Sequence, residues 1–415
     1  MAAQNAPRNA AEEARRAVNP VFRLLAMFWI LLPLAAAAQP GGLHDRPARL
    51  VAALPPGDLR QRLQACLERP PVPTAFVIGH RGAPLGFPEH TRESYAAAAA
   101  QGAGVVECDV TFTRDRELVC RHSQCDLHTT TNILQTPLAA KCSQPFTPAD
   151  PASGRRASAR CCASDLVLAQ LRTLCARRDS ADPAATTVDA YLAGGGEQCG
   201  TLVTHRESIA QLRALGVAMT PELKAPEVAM PFGGDYTQER YARQMIEEYR
   251  TAGVDAAQVA PQSFALSDIA FWLREYPAFG RRAVWLDGRY EEQQGFDAND
   301  PATWRPSMQE LKSAGVRTLA PPMPVLLALD GDRIVSSAYA RAAHAAGLRL
   351  VTWTLERSGP LAEGGGFYYG SIRRVIRNDG DTYRVLDVLA RDAGIAAIFS
   401  DWPATAVLYA NCTGR

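Results

Sequence analysis

Regular alternation of short apolar runs with amphipathic stretches predicts an α/β fold in which eight parallel strands close into a barrel. Three observations carry the prediction. There are eight apolar strand candidates, helical stretches fill most of the intervals, and the polar residues of interest gather at strand ends. A doubly wound open sheet competes on alternation alone, and the strand-end chemistry favours the barrel.

Taken in order, FVIGHRG (76–82) reads as the first strand and ESYAAAAAQG (93–102) as a helix ending at Gly102. VVECDVTFTRD (105–115) is the second strand, turning at Arg114–Arg116 into a short partner, ELVCRH (117–122). Periodicity is then lost from about Ser123 to Gly200, which marks a long insertion. AMTPELK (218–224), QVAPQSF (258–264), AVWLDG (283–288) and RTLAPP (317–322) follow as strands. Helices are expected at 236–252, 266–276, 304–314 and 336–346. LVTWTLE (350–356), a Gly-rich insert (358–380), a helix at 383–393 and the strand AAIFSD (396–401) complete the pattern.

Composition agrees with a globular enzyme-sized chain. Of 415 residues, 47% are hydrophobic and 21% charged, which supplies a core and excludes disorder or collagen-like repetition for the whole. A net charge of +1 leaves no electrostatic footprint for nucleic acid.

The amino terminus reads as an address. Arg15, Arg16 and Arg23 precede the apolar run Leu24–Leu34, followed by Ala35–Ala38, the three parts of a secretory signal. The run is short of the roughly 20 residues that span a bilayer. Residues 1–38 are therefore expected to be removed near Ala38, leaving no stable membrane span, with export to the periplasm or beyond. A retained signal anchor is the alternative. Residues 39–74, rich in Pro and Gly, form an extension with one helix expected around Asp58–Glu68.

All ten cysteines lie at or beyond Cys66, and Cys120, Cys125, Cys142, Cys161, Cys162 and Cys175 crowd one stretch, followed by Cys199. No Cys/His array has zinc spacing. Disulfides stapling an insertion at about 123–200, over the barrel mouth, are the expected use in an oxidising compartment. Cys108 is expected as a buried strand residue.

His80 and Arg81 end the first strand. Glu107 and Asp109 lie two apart on the second, so both point the same way. Glu222 and Lys224 repeat this spacing on the third, and His122 follows the return strand. Three carboxylates in one barrel mouth repel unless neutralised, and a hard divalent cation with oxygen ligands, Mg²⁺ or Ca²⁺, is the economical answer. Two histidines suit acid–base chemistry, and Arg81 and Lys224 suit a phosphate. Each feature alone is more often a solvated strand face or a structural histidine. Their combination at successive strand ends is specific.

The segments GHRGAPLGFPEHT (79–91), ECDVTFTRDRELVCRH (107–122) and TPELK (220–224) resemble the signatures of the glycerophosphodiester phosphodiesterase family. QSF (262–264), TW (352–353) and SD-W-P (400–403) are similar as well, so the resemblance runs from about 75 to 410. It implies a TIM-type (β/α)8 barrel and metal-dependent hydrolysis of small-molecule glycerophosphodiesters to glycerol 3-phosphate and an alcohol. Residue by residue, it implies His80 and His122 as the acid–base pair and Arg81 as phosphate-binding. It implies Glu107, Asp109 and Glu222 as ligands of one divalent cation, and Lys224 and Trp353 as walls of the substrate site. It also implies that the substrate's neighbouring hydroxyl attacks phosphorus through a cyclic phosphate. The family usually has Asn where this chain has His90, a residue expected to be structural. His128 is a further candidate to reach the site.

Two other readings stand beside this one. A phospholipase D-like relative would act on intact or lysophospholipids and would show an exposed apolar or basic loop, for which GGGFYYG (364–370) is the candidate. A non-catalytic extracytoplasmic binding protein would have lost at least one of the acid–base or metal residues, and none is missing.

Overall fold

The computed structural model describes residues 45–415, so the expected leader at 1–38 lies outside the described residues. Eight parallel strands close on themselves as a TIM-type barrel. They are β1 (Thr74–Gly79), β2 (Ala103–Phe112), β3 (Ala218–Leu223) and β4 (Gln262–Ser263). β5 (Val284–Leu286), β6 (Thr318–Ala320), β7 (Arg349–Leu355) and β8 (Ala397–Ser400) complete the ring. Closure is visible in β1, which pairs with both β2 and β8.

The longest helix of each crossover packs around the barrel: α1 (Arg92–Ala100), α2 (His205–Ala214), α3 (Gln238–Thr251), α4 (Leu266–Glu275), α5 (Met308–Ser313), α6 (Ala338–Ala345), α7 (Asp381–Arg391) and, after the last strand, α8 (Pro403–Thr413). Local sequence sets several of their starts. Thr91, Thr204, Thr237, Ser307 and Ser337 each accept a backbone N–H as N-cap. Thr204 with Glu207, and Ser307 with Glu310, close reciprocal capping boxes.

Period-2 alternation divides the apolar residues between two cores. Ile78, Ala320, Val351 and Ala397 point inward with Leu286 and Phe399. Their chain neighbours Val77, Leu319, Leu350 and Ile398 pack outward against the helices.

The structure departs from the pattern in places, each with a local reason. β4 is only two residues long, preceded by Pro261, which has no N–H for a ladder. The extension holds a second helix, Asp45–Ala53, because Pro47 sits in its first turn, where the missing donor costs nothing. α8 was not expected either. It is apolar almost all round and buries seven of its residues, so it shows no amphipathic period. Among the described residues no helix is long and apolar enough to cross a membrane.

Residues 123–200 enclose a small core of their own, including Leu127, Ile133, Leu166 and Tyr191. Within them Cys125–Cys162, Cys142–Cys161 and Cys175–Cys199 are bridged. Two further bridges lie outside. Cys108–Cys120 joins β2 to the antiparallel return strand Leu118–Cys120, so Cys108 is buried and also cross-linked. Cys66–Cys412 ties the extension to α8. No free cysteine remains among the described residues, as suits an oxidising compartment.

The insertion adjoins the barrel mouth, where its Arg178, Asp179 and Gly194 share a cavity with Glu89, Arg357 and Asp401. It is tied to the barrel by Arg114 N–H donating to the Leu166 carbonyl, by Gln124 Nε2 donating to the Phe112 carbonyl at 2.8 Å and by Gln198 Nε2 donating to the Gly86 carbonyl at 3.4 Å. Peptide mapping of the exported protein is expected to return these five pairs. Replacing Cys66 and Cys412 with Ala should cost about 3–5 kcal/mol in denaturant unfolding, because this bridge closes the longest loop of the five.

Candidate active site

The β2–β3 register aligns the acidic residues. Asp109 pairs with Glu222 across the strands, Glu107 lies two residues earlier on the same face, and Glu222 pairs in turn with Gln262 of β4. Each of the three carboxylates brings one oxygen within 4.8 Å of the other two. All are buried.

Their remaining contacts come from neighbouring strand ends. Glu107 Oε2 accepts from the Arg81 backbone N–H at 3.0 Å, and Oε1 accepts from Gln262 Nε2 at 2.7 Å. Asp109 Oδ2 meets His90 Nε2 at 2.9 Å. Lys224 Nζ stands 2.6 Å from Glu222 Oε1. Asp109 Oδ1 is buried and accepts no hydrogen bond among the described residues. An orphan carboxylate oxygen beside two more carboxylates is a donor set that fits a hard cation.

Charge in this cluster is unevenly held. Burial, then repulsion from Asp109 and Glu222, pushes Glu107 well above the ordinary carboxylate range. Burial raises Glu222 to about 7 against the pull of Lys224. Burial also opposes ionisation of Asp109, but Lys224 and His90 prevail and hold it well below its usual value. A divalent cation would remove the frustration by favouring all three charged forms.

The loop after β1 carries the next group. Arg81 adopts φ 56°, a conformation few non-glycine residues take, and it is held there from several sides. Ser94 Oγ donates to the Arg81 carbonyl at 3.1 Å and accepts from Ala83 N–H at 2.8 Å. Gly82 must lack a side chain, since a Cβ there would fall 2.3 Å from Ser94 Oγ. The Arg81 guanidinium bonds Glu89 at 2.9 Å and lies 3.7 Å from Asp109. Burial works against its charge, and these carboxylates outweigh burial and raise its pKa.

His80 Nδ1 lies 2.5 Å from Asp401 Oδ1 and 3.2 Å from Thr354 Oγ1. Asp401 stays ionised, its pKa lowered because Arg357 and His80 outweigh burial. A carboxylate only accepts, so Nδ1 carries the proton and Nε2 presents its lone pair, 3.8 Å from Glu107 Oε2. Burial outweighs Asp401 and lowers the His80 pKa to about 4, which keeps the ring neutral. His122 is also held well below its usual value, by burial and then by Arg81 and Lys224.

One cavity of about 270 Å³ joins these groups. His80, Arg81, Glu107, His122, Glu222 and Lys224 line it, and Phe264, Trp353 and Tyr368 are among its apolar walls. Asp109 belongs to the carboxylate cluster without lining the cavity itself. Every residue expected to act in acid–base chemistry, metal binding or substrate binding thus falls in one place at the C-terminal end of the barrel. His90 is fully buried and spans Asp109 and Tyr95. His128 stays within the insertion, where its Nδ1 accepts from Cys161 N–H at 3.4 Å. Sequence reasoning missed Asp401, Glu89, Arg357 and Gln262 as parts of this network. Position was the available signal for two of them, since Asp401 follows the last residue of β8 and Gln262 opens the very short β4.

A β/α barrel whose mouth gathers carboxylates, cations and two histidines defines a hydrolase of phosphate esters. The chain belongs to the glycerophosphoryl diester phosphodiesterase family, whose model matches residues 80–405, and is an enzyme of that class. It is 48% identical over 246 residues to an extracellular protein of Arthroderma benhamiae, covering 56% of this chain and 98% of the relative. A Mycobacterium tuberculosis protein named "Probable glycerophosphodiester phosphodiesterase 1" is 53% identical over 49 residues, 12% of this chain and 18% of that one. A solved structure from Silicibacter pomeroyi, provisionally named a glycerophosphoryl diester phosphodiesterase, shares the fold with a TM-score of 0.54. It is 18% identical, and the match covers 83% of this chain and 95% of that one.

Titration of Glu222 gives a test. Its folded pKa of about 7 exceeds the ordinary value of 4.5, so in metal-free protein its contribution is fully present below pH 4.5 and lost as pH rises through 7. Relative to Glu222→Gln, chelated wild-type protein should lose of order 3 kcal/mol between pH 4.5 and 8. Denaturant unfolding of both proteins across that range measures it.

Proposed function

We propose that this enzyme hydrolyses glycerophosphodiesters to glycerol 3-phosphate and an alcohol, using a divalent cation, Ca²⁺ or Mg²⁺, held by Glu107, Asp109 and Glu222. The observation that carries the reading is the meeting of these carboxylates with His80, His122, Arg81 and Lys224 around one cavity. A cation held by these three carboxylates would supply positive charge favouring ionisation of a nearby hydroxyl and negative charge at phosphorus.

The chain's own groups have complementary tasks. Arg81, oriented by Glu89, and Lys224 attract the phosphate, and Trp353 forms a wall of the substrate site. His80 is neutral with its Nε2 lone pair free, the state required of a general base. It takes the proton of the glycerol hydroxyl next to the ester, and that oxygen attacks phosphorus. His122, among cations that disfavour its charge in the empty site, becomes the acid once a phosphate anion is bound beside it, and protonates the departing alcohol oxygen. The cyclic phosphate formed is then opened by water with the two roles exchanged. Holding hydroxyl and phosphate together makes the attack intramolecular, where effective molarities reach about 10⁵–10⁸ M.

Export fits this reading. The five disulfides and the likeness to an extracellular protein support secretion, directed by a leader at 1–38. The extension at 39–74 and the barrel at 75–410, with its insertion at about 123–200, would then be the mature protein.

Release of glycerol 3-phosphate from a diester panel, with and without chelator, is the decisive experiment. Activity should vanish on chelation and return with cation. His80→Ala and His122→Ala should each lower kcat by about 10²–10⁴-fold. Glu222→Gln should weaken cation binding in calorimetry more than it lowers stability. A diester lacking the neighbouring hydroxyl should bind yet turn over poorly. Equal kcat for the matched pair, with chemistry rate-limiting, would replace the cyclic route with direct attack by water. Full turnover after exhaustive chelation would remove the cation.

A further inference from the structure

The carboxylates, cations and histidines account for one part of the cavity. The rest is built differently, and in the proposed reaction it serves only as a wall, through Trp353. Trp353 and Tyr368 meet there at an interplanar angle of 78°, with ring centroids 6.2 Å apart, so two aromatic faces stand nearly perpendicular. Phe367 backs both rings, stacked on Trp353 at 6.5 Å and edge-on to Tyr368 at 5.0 Å. Glu291 also lines the cavity, is exposed, and makes no ion pair among the described residues. Phe264 lies against Trp353 at 6.1 Å and is already engaged by Lys224, whose Nζ stands 6.0 Å from its centroid.

Two aromatic faces at a right angle and an unpaired carboxylate suit a compact organic cation. Ring faces carry negative potential and attract a compact cation, most strongly one whose charge lies beneath methyl groups and is weakly hydrated. A neutral sugar or polyol could stack C–H groups on a ring and donate a hydroxyl to Glu291, but it would gain no Coulombic attraction from either. A long acyl chain would gain nothing from Glu291, and the cavity, at about 270 Å³, lies below the roughly 300–1,000 Å³ of pockets that enclose a drug-sized ligand.

We propose that Trp353, Tyr368 and Glu291 form a subsite for a quaternary ammonium group on the alcohol portion of the diester. The inference rests on the hydrolytic reading and deepens it by assigning the class of head group. Tyr368 comes from the Gly-rich segment between β7 and α7, and Glu291 from the segment after β5. Two loops outside the carboxylate cluster thus set the preference.

The test compares glycerophosphocholine with its neutral isostere, in which a tert-butyl group replaces trimethylammonium. The wild-type enzyme should prefer the charged diester by about tenfold in kcat/KM. Glu291→Gln and Tyr368→Leu should each bring that ratio down at least threefold, and a ratio within one enzyme is insensitive to partial loss of folded protein. Tetramethylammonium should inhibit turnover competitively, and calorimetry should show it binding wild type more tightly than Glu291→Gln. A wild-type ratio near one, a ratio unmoved in both variants, or better turnover of the acylated lysophosphatidylcholine would overturn the proposal. If no diester is cleaved, the hydrolytic reading fails, and calorimetry with tetramethylammonium still decides the subsite. Saturable binding lost in Glu291→Gln would uphold it, and absence of binding would end it.

Discussion

Three carboxylates buried within 4.8 Å of one another are the constraint around which this molecule is arranged. Moving one ionised carboxylate from water into a protein interior costs several kcal/mol unless it is compensated. Here compensation comes from every side. The Arg81 backbone and Gln262 bond Glu107, His90 bonds Asp109, and Lys224 meets Glu222. The supporting residues are themselves supported. Glu89 fixes Arg81, and Arg357 bridges Glu89 and Asp401, so the partner of His80 joins the same network. The backbone conformation of Arg81 belongs to this account, since φ 56° is what lets its N–H and its guanidinium serve two different carboxylates.

The part of this arrangement legible in sequence was the part governed by strand period. Glu107 and Asp109, then Glu222 and Lys224, are two residues apart on strands, and a pleat places such pairs on one face. Alternating apolar residues gave the barrel for the same reason. What escaped notice depends on closure. His80 and Asp401 are 321 residues apart and meet only because β8 returns to pair with β1. Cys66 and Cys412 are separated still further and adjoin for the same reason. α8 was hidden by a composition apolar almost all round, which leaves no helical period, and the helix at Asp45–Ala53 by its proline, although Pro47, Leu50 and Val51 recur at helical spacing. The attachment of the insertion depends on single hydrogen bonds to backbone carbonyls, such as Arg114 N–H to Leu166 and Gln124 Nε2 to Phe112, which have no signature in side-chain pattern.

His90 shows how a departure from a familiar motif can be absorbed locally. An imidazole offers two polar atoms on opposite sides of a flat ring, and here both are used, one on Tyr95 Oη at 3.0 Å and the other on Asp109. A residue at φ 55° with no exposed surface has little freedom to do anything else. The same economy holds at Glu356, fully enclosed near the end of β7, which receives Arg46 from the N-terminal extension and Ser400 and Thr405 from the other end of the chain. The extension is thereby fixed to the barrel by charge as well as by a disulfide.

That disulfide gives the molecule an unusual covalent topology. With Cys66 joined to Cys412, everything between them is a covalently closed ring. Cutting a linear protein makes two fragments, whereas cutting a ring once makes a single open strand. The exposed segment at 151–156 is enclosed a second time, by Cys142–Cys161. A protease that cleaved there would find both new ends still tied within the insertion, and the barrel beyond them uninterrupted. Cleavage of that segment would be a change of connectivity without separation of parts.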